Sequence, residues 1–227
     1  MESEVNGILV AAHELKAPLN LLRQLAFSLD NDPNNTKNIQ SKMIQVTDRA
    51  IRQVNDLTKI AHLDREIFEI EPIAVRSVCT DVSDELRQLF RFNHRSLNLD
   101  YANRSRLVVA NRDLLYSIVY NFCLNAMHYS EHDSFATLSL HDRRSFVRLS
   151  VRDFGPTLPS DIWHCLKTGW IKKPVSISMR PGSSGLGLYI ASKFSQYMNL
   201  NLGVIRHRDG TTFFVDLPVS RQKVLFV

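Results

Sequence analysis

The sequence of 227 residues lacks any apolar run of about eighteen residues, the length at which a helix begins to span a bilayer. We therefore expect no membrane span in this chain. Residues 1–7 are polar and acidic, so we expect no signal peptide there. The only cysteines are Cys79, Cys123 and Cys165, and their wide spacing fits neither a disulfide framework nor a metal site. This cysteine usage favours a reducing, cytoplasmic location.

The sequence also lacks a Gly-Lys-Ser/Thr triplet, which excludes a P-loop for phosphate binding. Its formal net charge is +5, but the basic residues are scattered, apart from short clusters such as Lys172 and Lys173. Basic proteins often bind nucleic acid, yet no recognition helix or aromatic stacking platform is apparent, so direct nucleic-acid binding is disfavoured. A basic surface would also suit an anionic nucleotide or an acidic partner protein.

Two long helices joined by a short loop are predicted within residues 1–66. Apolar residues of the first helix step alternately by four and three, at Ile8, Ala12, Leu15, Leu19, Leu22, Ala26 and Leu29. Turn residues at 30–35 end it, and a second apolar pattern runs from Ile39 to Ile60. One hairpin cannot cover its own apolar seam, so we predict a homodimer in which two hairpins form a four-helix bundle. The alternative is a hairpin packed on its own downstream domain.

Residues 67–227 show mixed strand and helix patterns. The predicted extended segments are 67–75, 97–101, 107–110, 135–141, 146–152, 201–206 and 211–217, and the predicted helices are 78–92, 113–129 and 186–197. Several antiparallel pairs beside helices predict an α+β fold rather than a doubly wound sheet. The stretch between Pro156 and Ser184 has weak periodicity, which is typical of a functional lid or of disorder.

A histidine lies beside the apolar seam of the first helix. His13 follows Ala12, so solvent can reach its imidazole while the helix holds it rigidly. Glu14 can orient or deprotonate the ring, which leaves a nitrogen lone pair free to attack phosphorus. Pro18 removes a backbone hydrogen bond, so we expect a kink beside the ring. A surface histidine standing alone on a helix is usually inert.

Three further clusters suit a bound nucleotide. Asn121 and Asn125 lie one helical turn apart, so both amides share a face on which neutral oxygens can ligate Mg²⁺. Asp153 follows a predicted strand and begins the motif DFGPT. Small residues at 182–188 open a helix, and helix N-termini bind phosphates well. Each signal is weak by itself, and Asp153 alone would be an ordinary polar residue at a strand end.

The clusters occur together in an order that resembles sensor histidine kinases, from about Val5 to Val219. Residues 13–19 are similar to the H-box of that family, 121–130 to its N-box, 153–157 to its first glycine box and 182–188 to its second. The resemblance implies a dimerisation and phosphotransfer hairpin in residues 1–66. It further implies an ATP-binding α/β sandwich of the GHKL type in residues 67–227.

The resemblance also implies a role for each residue. His13 is expected to accept the γ-phosphoryl group of ATP with Glu14 as its base, while Asn121 and Asn125 hold Mg²⁺. Nucleotide contacts are expected from His128, Tyr129, Asp153, Gly155, Ser184, Gly185, Leu186, Gly187 and Leu188. The family passes the phosphoryl group to an aspartate on the receiver domain of a response regulator. Few residues precede the first helix, so the sensory input is expected from a separate protein or a missing sensor domain.

Some positions depart from the family pattern. His128 stands where a lysine or arginine usually reaches a phosphate, and a neutral imidazole would weaken that contact. Thr157 replaces a glycine and would be strained if the backbone there needs a positive φ. The aromatic box of the lid is poorly matched, with Trp163 as its stand-in. These departures leave an alternative open, a degenerate dimer that binds nucleotide without catalysis and acts as a scaffold or phosphotransfer station.

Overall fold

The computed structural model describes residues 2–31, 35–65, 67–101, 106–168 and 186–221, and side chains of the first helix from Leu15 to Leu29. Within these ranges the chain forms two compact units. The first comprises the helical hairpin up to Asp64 together with Leu186, and the second contains all of the described strands. No helix of the described residues is both long enough and apolar enough to cross a membrane.

The hairpin unit consists of α1, Glu2–Asn31, and α2, Thr36–Ala61, which pack against each other. Both predicted helices are confirmed, and α1 continues through Pro18. Several large apolar side chains on the two helices stay exposed in the single chain, including Leu19 at 60%, Phe27 at 65% and Ile44 at 62%. Burying such side chains stabilises a fold by about 1.5–3 kcal/mol each, so the hairpin alone leaves much apolar surface unburied.

The second unit contains two sheets and four helices in its described residues. Its elements are β1 Glu71–Ala74, α3 Val75–Phe92, β2 Ser96–Tyr101, β3 Leu107–Ala110, α4 Arg112–Tyr129, β4 Phe135–Asp142, β5 Phe146–Arg152, α5 Ser160–Thr168, α6 Leu186–Tyr197, β6 Asn201–His207 and β7 Gly210–Pro218. A five-stranded sheet has the order β2-β4-β5-β7-β6, and β1 pairs with β3 separately. Only the β2–β4 pair in these sheets is parallel, so the predicted α+β class is confirmed.

The core of this unit lies between α4 and the sheet. α4 packs against β4, β5 and β7, and its residues Leu115, Ile118 and Phe122 are fully buried. The ring of Phe122 stacks on that of Phe213 in β7, with 5.6 Å between centroids. These contacts fix the helix that carries the predicted N-box over the middle of the sheet.

The start of α4 agrees with its prediction, whereas the start of α3 does not. α4 begins where expected because the Asn111 side-chain oxygen accepts hydrogen bonds from the amides of Asp113 and Leu114, both at 3.1 Å. α3 begins at Val75, within the segment predicted to be extended and three residues before its predicted start at Val78. Ala74 at its N-cap makes no side-chain hydrogen bond, so the sequence carries no capping signal for this start.

The segment after Pro156 differs from the prediction of weak structure. It contains α5, a helix of 9 residues that follows the first glycine box closely. Residues 169–185 of the predicted lid lie outside the described residues. Among the described side chains, Cys79 and Cys123 are free and buried, and burial raises the pKa of both thiols. They are therefore neutral core residues.

Candidate functional site

The asparagine pair of the predicted N-box lies on α4 at the edge of the core. The amide nitrogen of Asn121 donates to the Ser117 carbonyl at 2.8 Å. Its oxygen faces α6, since a Cβ built on Gly187 would lie 2.7 Å from Asn121 Oδ1. One turn later, the Nδ2 atom of Asn125 is buried and has no hydrogen-bond partner among the described residues. A buried amide without a partner costs stability unless a ligand satisfies it.

Asp153 is held by two hydrogen bonds to Thr211 in β7. Its amide donates to the Thr211 carbonyl at 2.9 Å, and the Thr211 amide donates to Asp153 Oδ1 at 3.0 Å. The residue is only 2% exposed. Burial raises the pKa of this carboxyl from 3.8 to about 7, although the Thr211 hydrogen bond and nearby Arg152 lower it. Burying a carboxylate lowers folding stability, and carboxyls with strongly raised pKa values are common at functional sites.

The loop after Asp153 lies directly against the end of α4. A Cβ on Gly155 would come within 1.9 Å of the Tyr129 carbonyl oxygen, so only glycine fits at this contact. The Glu131 amide also donates to the Phe154 carbonyl at 3.3 Å. These two backbone contacts bring the first glycine box to the C-terminal end of the N-box helix.

Of the second glycine box, the structure describes the last three residues, which begin α6. Leu186 and Leu188 are buried there, and Gly187 lies against Asn121. Half-buried His128 and Tyr129 lie on the last turn of α4. The structure thus brings together Asn121, Asn125, His128, Tyr129, Asp153, Gly155, Gly187 and Leu188, which are dispersed in sequence. Ser184 and Gly185 lie outside the described residues.

The predicted phosphoacceptor pair belongs to the other unit. His13 and Glu14 lie in α1, and their side chains are outside the described part of the chain. Their predicted roles therefore stay predictions.

Thr157 does not carry the strain that its position suggested. Among the described non-glycine residues, positive φ occurs only at His94, Asp133 and Asn199. The Thr157 hydroxyl instead donates to the Arg208 carbonyl at 2.6 Å, which ties the entrance of the lid segment to the β6–β7 turn. The condition for strain, a positive φ at this position, is therefore not met.

Two contacts at the site were not predicted from the sequence. Arg152 forms an ion pair with Asp209 at 2.9 Å, and Arg206 donates to the Leu158 carbonyl at 2.6 Å. Both join the segment around the first glycine box to the last hairpin. Trp163 lies on α5, where its indole nitrogen is buried without a partner among the described residues. Its role as the aromatic residue of the lid stays a prediction.

The donor set at this site fits a nucleotide with Mg²⁺. The oxygen and nitrogen of an asparagine amide can be exchanged by a rotation, so Asn125 can offer either a donor to a phosphate or an oxygen to a cation. Neutral amide oxygens suit Mg²⁺ beside a triphosphate, because the phosphates already supply negative charge. When bound, the ion would neutralise charge on the phosphate oxygens.

We expect Gly187→Ala to weaken ATP binding by at least about tenfold, or roughly 1.4 kcal/mol. The new Cβ would lie 2.7 Å from Asn121 Oδ1, so this amide must move. Thermal stability should change little, since alanine favours helices by about 1 kcal/mol over glycine and offsets the displacement. Titration calorimetry and thermal unfolding measure the two effects separately.

Ser195→Ala on the same helix is the matched control. The Ser195 hydroxyl is buried without a hydrogen-bond partner among the described residues, so its removal should leave both the fold and ATP binding intact. Equal ATP affinity of Gly187→Ala and wild type would contradict the placement of Asn121 at the nucleotide.

Comparisons with known proteins agree with this geometry. Residues 110–221 match the family described as histidine kinase-, DNA gyrase B- and HSP90-like ATPase. TcrY, a sensor histidine kinase of Mycobacterium tuberculosis, is 28% identical over 215 residues, which are 92% of this chain and 45% of that protein. This chain therefore spans less than half the length of that relative.

Solved structures with similar folds are histidine kinases as well. AdeS of Acinetobacter baumannii aligns with a TM-score of 0.65 at 16% identity, covering 92% of this chain and 98% of that one. ThkA, solved in complex with the response regulator TrrA, aligns with the same TM-score of 0.65 at 16% identity over 92% of this chain and 60% of that one. Residues 110–221 match the histidine kinase-, DNA gyrase B- and HSP90-like ATPase family, and this match together with the similar sensor histidine kinases supports a two-component histidine kinase catalytic core.

Proposed function

We propose that this protein is an ATP-dependent histidine kinase that phosphorylates itself on His13 and then transfers the phosphoryl group to an aspartate of a response regulator. One observation carries the proposal. Three segments far apart in sequence converge at close contacts that exclude larger side chains at Gly155 and Gly187. Close backbone approach of this kind suits a site that must enclose a nucleotide.

In the proposed complex, each segment binds a different part of ATP. Asp153 uses Oδ1 for the Thr211 amide, so Oδ2 is the acceptor for the adenine amino group. Asn121 and Asn125 hold Mg²⁺ at the phosphates. The amides around Gly185 and Gly187 and the start of α6 bind phosphate oxygens, where the helix dipole favours negative charge. Tyr129 lines the pocket, and Leu186 and Leu188 hold the helix in place.

The transfer step uses His13 and Glu14. A ring nitrogen of His13 attacks the γ-phosphorus with its lone pair, and the bond to the bridging β–γ oxygen breaks as ADP leaves. Glu14 accepts the proton of the imidazole. The protein contributes mainly by positioning the reactants and neutralising charge, as in other phosphoryl transfers. His128, in place of the usual cation, would supply charge only when protonated.

The proposal includes a homodimer built on the hairpins. Large exposed apolar side chains occur on both α1 and α2, among them Phe27 and Ile44. A second hairpin would cover them in a four-helix bundle. The receiver domain of a response regulator is the proposed acceptor, by analogy with the ThkA–TrrA complex. ATP and the buried free thiols suit the cytoplasm.

Autophosphorylation with γ-labelled ATP and Mg²⁺ tests the function directly. We expect acid-labile, base-stable label on the wild type and none on His13→Ala, because the substitution removes the proposed phosphoacceptor imidazole. His62→Ala is the matched control, since His62 is the other histidine of the hairpin unit and lies just after α2. It should keep its label.

The remaining outcomes point to other functions. A wild type that binds ATP without becoming labelled would favour the degenerate scaffold. A wild type that neither binds ATP nor becomes labelled would refute the nucleotide site itself. Label that persists in His13→Ala would refute His13 as the phosphoacceptor.

A further inference from the structure

Two loops of the second unit run side by side because the strands that follow them are paired in parallel. In the β2–β4 pair, Ser96 lies opposite Phe135. The loop before β2 carries His94, and the loop before β4 carries His132 and Asp133. The parallel register therefore brings together residues that are far apart in sequence.

The side chains of these three residues form one exposed cluster. The imidazoles of His94 and His132 stack with their ring centroids 4.8 Å apart. His132 Nδ1 and Asp133 Oδ2 are 2.8 Å apart, within hydrogen-bond distance. One potential ligand atom from each residue lies within 4.8 Å of the other two.

The backbone holds the two loops in this arrangement. The Asp133 amide donates to the His94 carbonyl at 2.9 Å. The Arg95 guanidinium joins the loops a second time, because it donates to the Ser130 carbonyl at 3.1 and 2.8 Å. His94 and Asp133 both adopt positive φ, 52° and 58°, which directs their side chains differently from ordinary loop residues. Hydrogen bonds to the main chain and the backbone conformation therefore hold the three residues of the cluster close together.

We propose that His94, His132 and Asp133 bind a divalent transition metal ion of the Zn²⁺ class, at a site separate from the nucleotide site. Two imidazoles with one carboxylate are a ligand set that suits such ions, whereas Mg²⁺ prefers oxygen ligands alone. Tetrahedral coordination at about 2.0–2.1 Å places ligand atoms roughly 3.3 Å apart, which exposed side chains reach by small rotations. Water completes the coordination, and each imidazole would bind the ion through a nitrogen that carries no proton.

The bound ion would join two loops, one of which already contacts the segment after Asp153. Residues 130–134 connect α4 to β4, and the Glu131 amide in this connection donates to the Phe154 carbonyl beside Asp153. Metal binding therefore fixes the segment that follows the N-box helix. It should raise the thermal stability of the protein, because the folded state alone presents the three ligands together.

Calorimetric titration of the whole chain with Zn²⁺, in a non-chelating buffer without nucleotide, tests the proposal. We expect Zn²⁺ affinity to fall at least about tenfold in His94→Asn and in His132→Ala, and the Zn²⁺-induced rise in melting temperature to disappear. Asparagine at position 94 removes the imidazole but tolerates the positive φ, so the fold should survive. Asp133→Asn removes the negative charge of the third proposed ligand, and asparagine also tolerates the positive φ at this position.

His141→Ala is the matched control, since His141 is an exposed histidine of β4 outside the cluster. It should bind Zn²⁺ as the wild type does. Equal Zn²⁺ affinity in wild type, His94→Asn and His132→Ala would overturn the proposal, as would a wild type that takes up no Zn²⁺. Because nucleotide is absent, none of these results depends on whether the protein is a kinase.

Discussion

Asp153→Asn should abolish detectable ATP binding and, at the same time, stabilise the nucleotide-free protein above pH 7. The amide keeps an oxygen to accept the Thr211 hydrogen bond, so the local structure is retained. At the position of Oδ2 it presents a donor to the adenine amino group, which is itself a donor. One substitution thus separates binding from stability.

The pH dependence of this effect follows from the carboxyl that is removed. Its pKa is 3.8 in the unfolded chain and about 7 in the folded protein, so between these values the folded state binds more protons. The free energy of unfolding of the wild type therefore falls as pH rises from about 4 to about 7. About three pH units at roughly 1.4 kcal/mol each set an upper limit near 4 kcal/mol.

Urea unfolding at pH 5 and pH 8, together with ATP titrations, measures both parts of the prediction. The stability gained by Asp153→Asn should be larger at pH 8 than at pH 5. Asp209→Asn is the comparison variant. This nearby carboxylate has a side chain that is 66% exposed, and its charge is only a small cause of the raised pKa of Asp153, so the pH-dependent gain should be much smaller. A variant equally stabilised at both pH values would show that the carboxylate is not destabilised by burial. Retained ATP affinity would remove Asp153 from adenine recognition.

Gly210→Ala should destabilise the second unit by more than about 4 kcal/mol, a large fraction of the 5–15 kcal/mol typical of a whole domain. The new Cβ would lie 2.1 Å from the Asp153 carbonyl oxygen and 2.9 Å from its Oδ1. Gly210 also has a φ of +139°, which other residues rarely adopt. The clash and the backbone strain act together at the residue beside Thr211.

Far-UV circular dichroism during urea unfolding measures this loss. Gly203→Ala provides a graded comparison on the neighbouring strand, since its Cβ would meet the ring of Phe214 at 2.1 Å. An aromatic ring can turn away more easily than a backbone carbonyl can move, so this variant should lose less stability. Gly210→Ala with the unfolding midpoint of the wild type would contradict the close approach of β7 to Asp153.

The regular elements were predictable because periodic burial leaves a pattern in the sequence. α4 and the β6–β7 hairpin appear with nearly the predicted limits. α5 was missed since a helix of 9 residues shows few repeats of its period. The parallel pairing of β2 with β4 also could not be predicted, because strand partners are set by contacts distant in sequence.

The sequence indicates residue types for the candidate site but not their contacts. The sequence indicated Asp153 and the asparagine pair through their motifs, whereas the hydrogen bonds between Asp153 and Thr211 depend on the pairing of β5 with β7. The cluster of His94 with His132 had no local signal for the same reason. Whether Thr157 is strained in place of the family's glycine depended on its φ, and only the backbone geometry shows that threonine fits.

The exposed apolar faces of α1 and α2 have a consequence for the genetics of this protein. In the proposed dimer, the two hairpins form the interface between the subunits, while the second unit binds the nucleotide for the reaction. A mutant copy with a damaged nucleotide site but an intact hairpin would still form dimers with normal copies. Fewer dimers of two normal copies would then form. Such alleles are expected to be dominant, whereas alleles that place a charge at Phe27 or Ile44 would be recessive, because their products could not pair.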